Sequence, residues 1–176
     1  MLPLDLTISR LQRCDERLCL AINGASRHFS VLQLFRAVSW LGNGIFWYML
    51  MLALLIDDAQ GALFPVLQMI VVGAVSTATY SALKRRTGRR RPYEVVPAVY
   101  AGAAPLDAFS FPSGHTLHAV AFTLVAASYF PALAGPLAAF TLLVAASRVV
   151  LGLHYPSDVL AGAAIGAGIA GASFWI

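Results

Sequence analysis

The sequence predicts an all-α fold: a polytopic membrane helical bundle with five or six spans and an amphipathic N-terminal helix at the membrane interface. Hydrophobic residues make up 59% of the 176 residues and charged residues only 11%, whereas soluble globular proteins carry roughly a quarter charged residues. The apolar residues lie in long runs separated by short polar or turn-forming segments. The twelve Lys and Arg residues are clustered, which is typical of lipid-headgroup contact and of membrane topology signals.

Two regions follow from this pattern. Residues 1–40 are expected to form interfacial helices, which include a first span if the stretch from 29 to 41 crosses the membrane. Residues 41–176 are expected to form one membrane-embedded domain, because several spans of about 20 residues each leave little room for a soluble module. The net charge of +4 does not indicate nucleic-acid binding, since no aromatic or sheet platform accompanies the basic run.

The N-terminal segment is predicted to be an amphipathic helix lying on the membrane surface. Apolar side chains recur at spacings of three and four, and arginines occupy the opposite face: the apolar positions are Leu4, Ile8, Leu11, Cys14, Leu18 and Ile22, and the arginines are Arg10, Arg13 and Arg17. Asn23 and Gly24 end the helix. The next apolar stretch, 29–41, is short and carries Arg36, so its crossing of the membrane stays open.

Five longer apolar segments are predicted to cross the membrane: residues 41–56, 62–83, 115–130, 137–151 and 157–175. The one long connection, 84–112, is polar and contains Pro and Gly, and long loops in compact proteins are usually functional. Counting the crossings places the start of this loop, its end and the turn after residue 148 at one membrane face. Three polar clusters that are distant in sequence are therefore expected to meet there.

The first cluster is the basic run from Lys84 to Arg91, followed by Pro92. Basic runs beside membrane spans are common, so the run alone is weak evidence for a site. Guanidinium and ammonium groups are nevertheless what phosphoryl oxygens require, and arginine binds them bidentately. The run is therefore a candidate anion site.

The second cluster, Pro112-Ser113-Gly114-His115, opens a predicted helix. Free backbone N–H groups at a helix start bind anions, and Gly114 lets an oxyanion approach the backbone closely. The Ser113 hydroxyl and the His115 imidazole would complete a phosphate pocket with a proton donor. Simple capping of the helix by Ser113 is the alternative interpretation.

The third cluster contributes Arg148, His154 and Asp158. If the chain becomes helical near His154, Asp158 lies one turn later on the same face and can accept a hydrogen bond from the imidazole. A carboxylate in that position fixes the tautomer of the histidine and raises its nucleophilicity. The pair therefore indicates a nucleophilic histidine beside a cationic site.

Together the clusters resemble the three-part signature of the type 2 phosphatidic acid phosphatase (PAP2) family, which includes glucose-6-phosphatase and vanadium-dependent haloperoxidases. The resemblance covers about residues 40–176, and the matching positions are Lys84, Arg91 and Pro92, then Pro112, Ser113, Gly114 and His115, then Ser147, Arg148, His154 and Asp158. Residues 1–40 depart from larger bacterial members, which begin with an extra hydrophobic span.

The resemblance implies a phosphatase that works through a phosphohistidine. His154 would attack phosphorus, Asp158 would hold its imidazole, and His115 would protonate the leaving group and then activate water. The expected phosphate-binding residues are Lys84, Arg91, Ser113, Gly114 and Arg148. His118 is expected to have a supporting role, and the choice between headgroup contact and a second phosphate stays open for Arg85, Arg86, Arg89 and Arg90.

Neither a metal nor another cofactor is expected. The sequence offers no cluster of carboxylates, and the cysteines Cys14 and Cys19 have no second pair with which to complete a metal site. The cationic groups would instead supply the electrostatic stabilisation that other phosphoryl-transfer enzymes often take from a metal.

A site at helix ends, at the depth of the headgroups, indicates a lipid substrate. Phosphatidic acid, phosphatidylglycerophosphate, a prenyl diphosphate and lipid A phosphates all fit, and membrane lipids are the other expected partner. Three alternatives are a lipid phosphotransferase, in which an acceptor hydroxyl replaces water, a haloperoxidase, whose relatives are soluble, and a non-catalytic membrane scaffold. A scaffold would need no histidine pair. The oligomeric state stays open.

The expected location is the inner membrane of the cell, with the site on the extracytoplasmic face as in the bacterial relatives that the chain resembles. With five spans nearly all Lys and Arg residues would share the face of the site, and the positive-inside rule would then favour the cytoplasm. The basic loop is discounted in that count, because its residues are expected to serve the phosphate.

Overall fold

The computed structural model describes residues 4–175, and every regular element in that range is helical. The α-helices are α1 (Leu4–Asn23), α2 (Phe29–Trp40), α3 (Phe46–Asp57), α4 (Ala59–Thr87), α5 (Pro92–Val95), α6 (Gly114–Tyr129), α7 (Ala134–Val150) and α8 (Pro156–Ser173). Short 3-10 helices cover Gly24–Arg27 and Pro131–Leu133, and a π-helical segment covers Leu41–Ile45. The all-helical class predicted from the sequence is confirmed for this part of the chain.

Within residues 4–175, three helical stretches are long and apolar enough to cross a membrane. They are Phe29–Asp57, Ala59–Val95 and Pro131–Val150, with mean hydropathies of 1.6, 1.8 and 1.8. Large apolar side chains on these stretches are exposed, among them Tyr48, Ile56, Phe64 and Leu142. Such exposure is costly in water and favourable in lipid, so the chain has the character of a membrane protein.

The first of these stretches is kinked where α2 meets α3. Gly44 has a φ of +111°, a backbone conformation that glycine adopts readily and other residues rarely do. No turn separates 29–41 from the apolar run that follows, and the division of the chain into residues 1–40 and 41–176 stays a prediction. The same kink explains why the sequence indicated two segments here.

Helix α6 is central and packs against α4, α7 and α8. The approach to α8 is closest at two glycines, where a Cβ atom on Gly162 would lie 2.5 Å from the carbonyl oxygen of Ser113. A Cβ atom on Gly166 would lie 2.3 Å from that of Leu117. The small residues therefore let the two backbones meet, and this contact fixes α8 against the first turn of α6.

Helix α1 docks on one end of the bundle, against α7 and α8. Asn23 makes the connection: its side-chain N–H groups donate to the carbonyls of Val150 and Tyr100, at 2.9 and 3.0 Å, and its Oδ1 accepts from the N–H of Tyr100 at 2.8 Å. Helix α1 thus lies at the end of the bundle where α4 and α7 finish and where α6 and α8 begin.

Candidate active site

The three polar clusters meet at this end of the bundle, as the order of crossings predicts. A cavity of about 960 Å³ opens there. Six of the predicted catalytic and phosphate-binding residues line it: Lys84, Arg91, Gly114, His115, Arg148 and His154. Residues that are up to 70 positions apart in sequence therefore share one site.

The backbone turns that follow α4 and α7 position these side chains. Helix α4 runs to Thr87, beyond the end predicted at residue 83, and Gly88 ends it with a φ of +58°. After α7, Gly152 turns the chain with a φ of +69°, and a Cβ atom there would lie 2.5 Å from the carbonyl oxygen of Tyr100. Only glycine fits such a left-handed turn against a neighbouring backbone, and the turn presents His154 to the cavity.

His154 and Asp158 face each other inside the protein. Their side chains are 2% and 0% exposed, and His154 Nδ1 lies 3.7 Å from Asp158 Oδ2. That distance exceeds a hydrogen bond, and Nδ1 has no hydrogen-bond partner among the described residues. The hydrogen bond expected from the spacing is therefore not formed in this structure.

The carboxylate of Asp158 is occupied by other donors. Its Oδ2 accepts from the N–H of Tyr155 at 2.9 Å, and its Oδ1 accepts from Arg89 Nη1 at 2.5 Å. The backbone bond at the start of α8 and the ion pair hold the carboxylate slightly away from His154. This is the physical reason for the longer distance.

The other ring nitrogen of His154, Nε2, lies 3.4 Å from Arg91 Nη1. Burial lowers the pKa of His154 well below its usual range, and the charges of Arg148, Arg91 and Lys84 lower it further. The imidazole is therefore held neutral, which is the form that can attack an electrophile.

The three cations are themselves buried. Lys84, Arg91 and Arg148 are 6%, 1% and 3% exposed. Arg148 donates from Nη1 to the hydroxyl of Ser39, and its Nε is buried with no partner in the described part of the chain. Buried cations need anionic or polar partners, so the cavity is suited to an anionic group.

Asp107 belongs to this site, although no sequence motif indicated it. Its Oδ2 lies 2.6 Å from Lys84 Nζ and its Oδ1 lies 2.9 Å from Arg91 Nη2. Burial acts to raise the pKa of Asp107, but the hydrogen bond and charge of Lys84, together with Arg91, outweigh it and lower the pKa. The sequence contained one indication of this role, since Asp107 is the only acidic residue between Glu94 and Asp158.

The start of α6 contributes Ser113, Gly114 and His115. Ser113 is fully buried, its Oγ lies 3.0 Å from Thr116 Oγ1, and its side chain accepts from the N–H of Thr116 at 3.5 Å. These contacts are those of a helix N-cap, whereas Gly114 and His115 reach the cavity wall. Direct contact between the Ser113 hydroxyl and a phosphate stays a prediction.

Two of the residues left open by the sequence have clear contacts. His118 lies 3.0 Å from the Gly114 carbonyl oxygen through Nδ1 and 3.2 Å from Thr77 Oγ1 through Nε2, so it ties α6 to α4. Arg89 pairs with Asp15 and Asp158 instead of pointing toward headgroups.

The remaining arginines of the run, Arg85, Arg86 and Arg90, are exposed. Arg90 pairs with Glu94 at 3.5 Å, and Arg85 lines the cavity. Within residues 4–175, no group of three or more His, Cys, Asp or Glu side chains is arranged to hold a metal ion. Metal independence itself stays a prediction.

Away from the cations, the cavity is apolar and runs between α3 and α4. This part is lined by Trp47, Met51, Leu55, Val66, Met69 and Ile70. The site thus has a cationic end at the helix termini and an apolar end among membrane-facing helices. An amphipathic molecule with an anionic head fits such a cavity.

Comparisons with known proteins agree with this geometry. The sequence model of the PAP2 superfamily matches residues 65–176. Two bacterial proteins named lipid A 1-phosphatase, from Rhizobium johnstonii and Rhizobium etli, are 39% and 38% identical to the chain over 89 and 92 residues. Each match covers 48% of this chain, but only 36% and 38% of the two relatives. The chain therefore matches little more than a third of their length.

Two crystal structures resemble the whole fold. Aquifex aeolicus LpxE superposes with a TM-score of 0.80 at 27% identity, covering 91% of this chain and 94% of that one. A PAP2-type phosphatidylglycerolphosphate phosphatase from Bacillus subtilis gives a TM-score of 0.69 at 24% identity, covering 94% and 85%. The second likeness concerns the fold alone.

Proposed function

The chain belongs to the PAP2 superfamily, and on that premise we propose that it is a membrane lipid phosphatase that forms a phosphohistidine on His154. One observation carries the proposal. His154 is buried beside three buried cations, and the opposite end of the cavity that they share is apolar. The dephosphorylation of a lipid requires a neutral nucleophile, cationic groups that bind the phosphate and an apolar space for the hydrocarbon.

In the proposed first step, His154 Nε2 attacks phosphorus while the bond from phosphorus to the lipid oxygen breaks. His115 gives its proton to that oxygen, and the carboxylate of Asp158 moves onto His154 Nδ1 to stabilise the imidazolium. The N–H groups of Arg91 and Arg148 and the ammonium group of Lys84 hold the phosphoryl oxygens, with the Gly114 N–H and the Ser113 hydroxyl as further donors.

In the second step, His115 takes a proton from water, and the water oxygen displaces His154 from phosphorus. Inorganic phosphate leaves, and His154 returns to its neutral form. The cations stabilise the charge of both transition states, so we expect no metal ion to be required.

The apolar end of the cavity favours a phosphate attached to hydrocarbon over a polar metabolite. The candidates are phosphomonoesters and diphosphates of lipids: phosphatidic acid, phosphatidylglycerophosphate, prenyl diphosphates and lipid A. The names of the two Rhizobium relatives make lipid A carrying a 1-phosphate the first substrate to test.

We propose five membrane spans, formed by the kinked stretch Phe29–Asp57 and by helices α4, α6, α7 and α8. Helix α1 docks at the site end of the bundle through Asn23, which supports a position on the same face as the site. Its exposed apolar side chains, Leu11, Leu18 and Ile22, suit the membrane interface.

We place the protein in the inner membrane with the site on the extracytoplasmic face, as in the bacterial members that the chain resembles. A count of Lys and Arg alone would favour the cytoplasm. Lys84, Arg89 and Arg91 are, however, engaged in ion pairs at the site, so their weight as topology signals is discounted.

The test is phosphate release by the purified protein in detergent, in buffer with EDTA, from a panel of these lipid phosphates. The wild type should release phosphate, the His154→Ala variant should not, and the His28→Ala variant, which removes an exposed histidine, should behave as the wild type. Transfer of phosphate to an added acceptor lipid would instead identify a phosphotransferase. Full activity of the His154→Ala variant would overturn the mechanism, and an inactive wild type would favour a scaffold.

A further inference from the structure

We propose that the N-terminal helix completes the active site: Asp15 of α1 holds Arg89, and Arg89 positions the carboxylate of Asp158 relative to His154. Both are positioning residues, since neither contacts the reacting atoms in the proposed mechanism. The inference rests on the proposed role of His154 as nucleophile. It assigns a task in the reaction to a helix that lies outside the matched PAP2 region, residues 65–176.

Arg89 bridges two carboxylates from different helices. Its Nη1 lies 2.5 Å from Asp158 Oδ1 and its Nη2 lies 2.7 Å from Asp15 Oδ2. Its guanidinium also lies over the ring of Tyr155, 4.2 Å from the centroid. Planar guanidinium groups suit such forked contacts, which a lysine could not reproduce.

The carboxylate of Asp15 is built into the start of α8. Its Oδ1 accepts from the N–H of Ser157 at 3.0 Å, and its Oδ2 accepts from the hydroxyl of the same residue. Asp15 is only 7% exposed, although it lies on a helix whose neighbouring side chains are mostly exposed. Ser157 directly precedes Asp158, so the contact fixes the turn that carries the catalytic carboxylate.

The buried face of α1 carries two polar side chains, Asp15 and Asn23, on either side of Cys19. Asp15, Cys19 and Asn23 follow one another at intervals of four residues, and they are 7%, 0% and 3% exposed, while Leu11 and Leu18 are 66% and 48% exposed. Residues at that interval share one side of a helix. A helix that served only as a membrane anchor would not need a buried acid facing the protein, because burying an unpaired charge is costly.

The two carboxylates share one cation, and this sharing affects His154. With Asp15 present, Arg89 divides its hydrogen bonds between the two acids, and Asp158 keeps negative charge for the imidazolium that forms at His154. Without Asp15, Arg89 would pair with Asp158 alone, and that charge would be more fully neutralised. The transition state would lose stabilisation, whereas the binding of the substrate phosphate would change little.

Several charged or titratable groups surround His154, and the pH dependence reflects all of them. They are Lys84 of α4, Arg91 at the start of α5, His115 of α6, Arg148 of α7, Asp158 of α8 and Cys19 of α1. Because the variants below leave these groups in place, a difference in pH profile between variants reports on the balance among Asp15, Arg89 and Asp158.

The experiment compares the Asp15→Asn and Glu16→Gln variants of the full-length protein. Glu16 lies on the same helix, and within residues 4–175 it makes no ion pair, so it controls for loss of one negative charge. For Asp15→Asn we expect kcat to fall on the order of tenfold, by analogy with the hydrogen-bond partners of metal-binding histidines, with KM nearly unchanged. The acid limb of the kcat/KM profile should shift to lower pH, and Asp15→Glu should restore activity in part.

Arg89→Gln provides a second variant if Asp15→Asn fails to fold. Removal of the cation should also lower kcat, because Asp158 loses the side chain that positions it. It should shift the acid limb to higher pH, however, because Asp158 then stabilises protonated His154 more strongly. If both variants are folded and match Glu16→Gln in kcat and pH profile, helix α1 only docks and the inference is wrong. A wild type that releases no phosphate would instead refute the proposed function.

Discussion

Lys84 Nζ lies 2.6 Å from Asp107 Oδ2, so a cation that we expect to hold the substrate phosphate is paired with a carboxylate of its own chain. The same carboxylate contacts Arg91. An incoming phosphate must compete with Asp107 for both cations. The carboxylate therefore keeps two buried cations compensated and opposes the binding of any anion.

Replacement of Asp107 by Asn should tighten the binding of anions. We expect KM for the lipid phosphate and the inhibition constant of vanadate to fall by about three- to tenfold, because one negative charge beside the site is removed in a partly exposed position. Steady-state kinetics with vanadate as inhibitor measure both effects. Glu94→Gln, which removes an acid paired with Arg90 outside the cavity, should leave both constants unchanged; weaker vanadate binding by the Asp107→Asn variant would refute the competition.

The glycines of α8 provide a test of the fold. Gly166→Ala would bring a Cβ atom to 2.3 Å from the Leu117 carbonyl oxygen, whereas a Cβ atom on Gly168 meets no atom of the described residues within 4 Å. We expect Gly166→Ala to destabilise the protein by about 1–3 kcal/mol through overpacking and Gly168→Ala to be neutral or slightly stabilising. Thermal unfolding in detergent measures the difference, and equal stability of the two variants would contradict the close contact of α6 with α8.

The pH dependence of activity should reflect the buried environment of His154. Burial and the neighbouring cations lower its pKa, so the imidazole stays neutral at pH values where an ordinary histidine, with a pKa of about 6.5, is already protonated. The acid limb of kcat/KM should therefore lie below about pH 6.5. An acid limb clearly above that value, measured with a substrate that does not titrate in the same range, would contradict a neutral nucleophile.

The membrane arrangement can be tested with single cysteines in spheroplasts. Cys14 and a cysteine at Ala101 are exposed at the site end of the bundle, and a cysteine at Gln60 is exposed at the opposite end. A membrane-impermeant maleimide should label the first two in intact spheroplasts and the third only after lysis. Labelling of the cysteines at 14 and 101 from opposite sides would refute five spans, and labelling of both only after lysis would refute the outward orientation.

Much of the architecture could be predicted from hydrophobic periodicity. The helices predicted at 62–83, 115–130, 137–151 and 157–175 are found within a few residues of those bounds, because long apolar runs bounded by Pro, Gly and charged residues leave little choice of structure in a membrane. The order of the crossings also predicted that Lys84, Arg91, His115, Arg148 and His154 lie at one end of the helical bundle. The structure places all five side chains around one cavity.

What the sequence could not show depends on contacts between distant residues. The pairing of Asp107 with Lys84 and Arg91 joins a loop to a helix end, and the pairing of Arg89 with Asp15 joins residues 74 positions apart. No spacing rule predicts such pairs. The hydrogen bond predicted between His154 and Asp158 is not formed. Helical spacing places the two side chains on one face, but it does not show which other donors occupy the carboxylate.

The phosphohistidine itself is the central claim, and rapid-quench trapping of the enzyme with a radiolabelled lipid phosphate tests it most directly. The account predicts an acid-labile, base-stable phosphoenzyme whose label maps by mass spectrometry to the peptide that contains His154, with no label in the His154→Ala variant and normal labelling in the His28→Ala variant. Phosphate release in a single turnover without a labelled intermediate, or label on another residue, would contradict it.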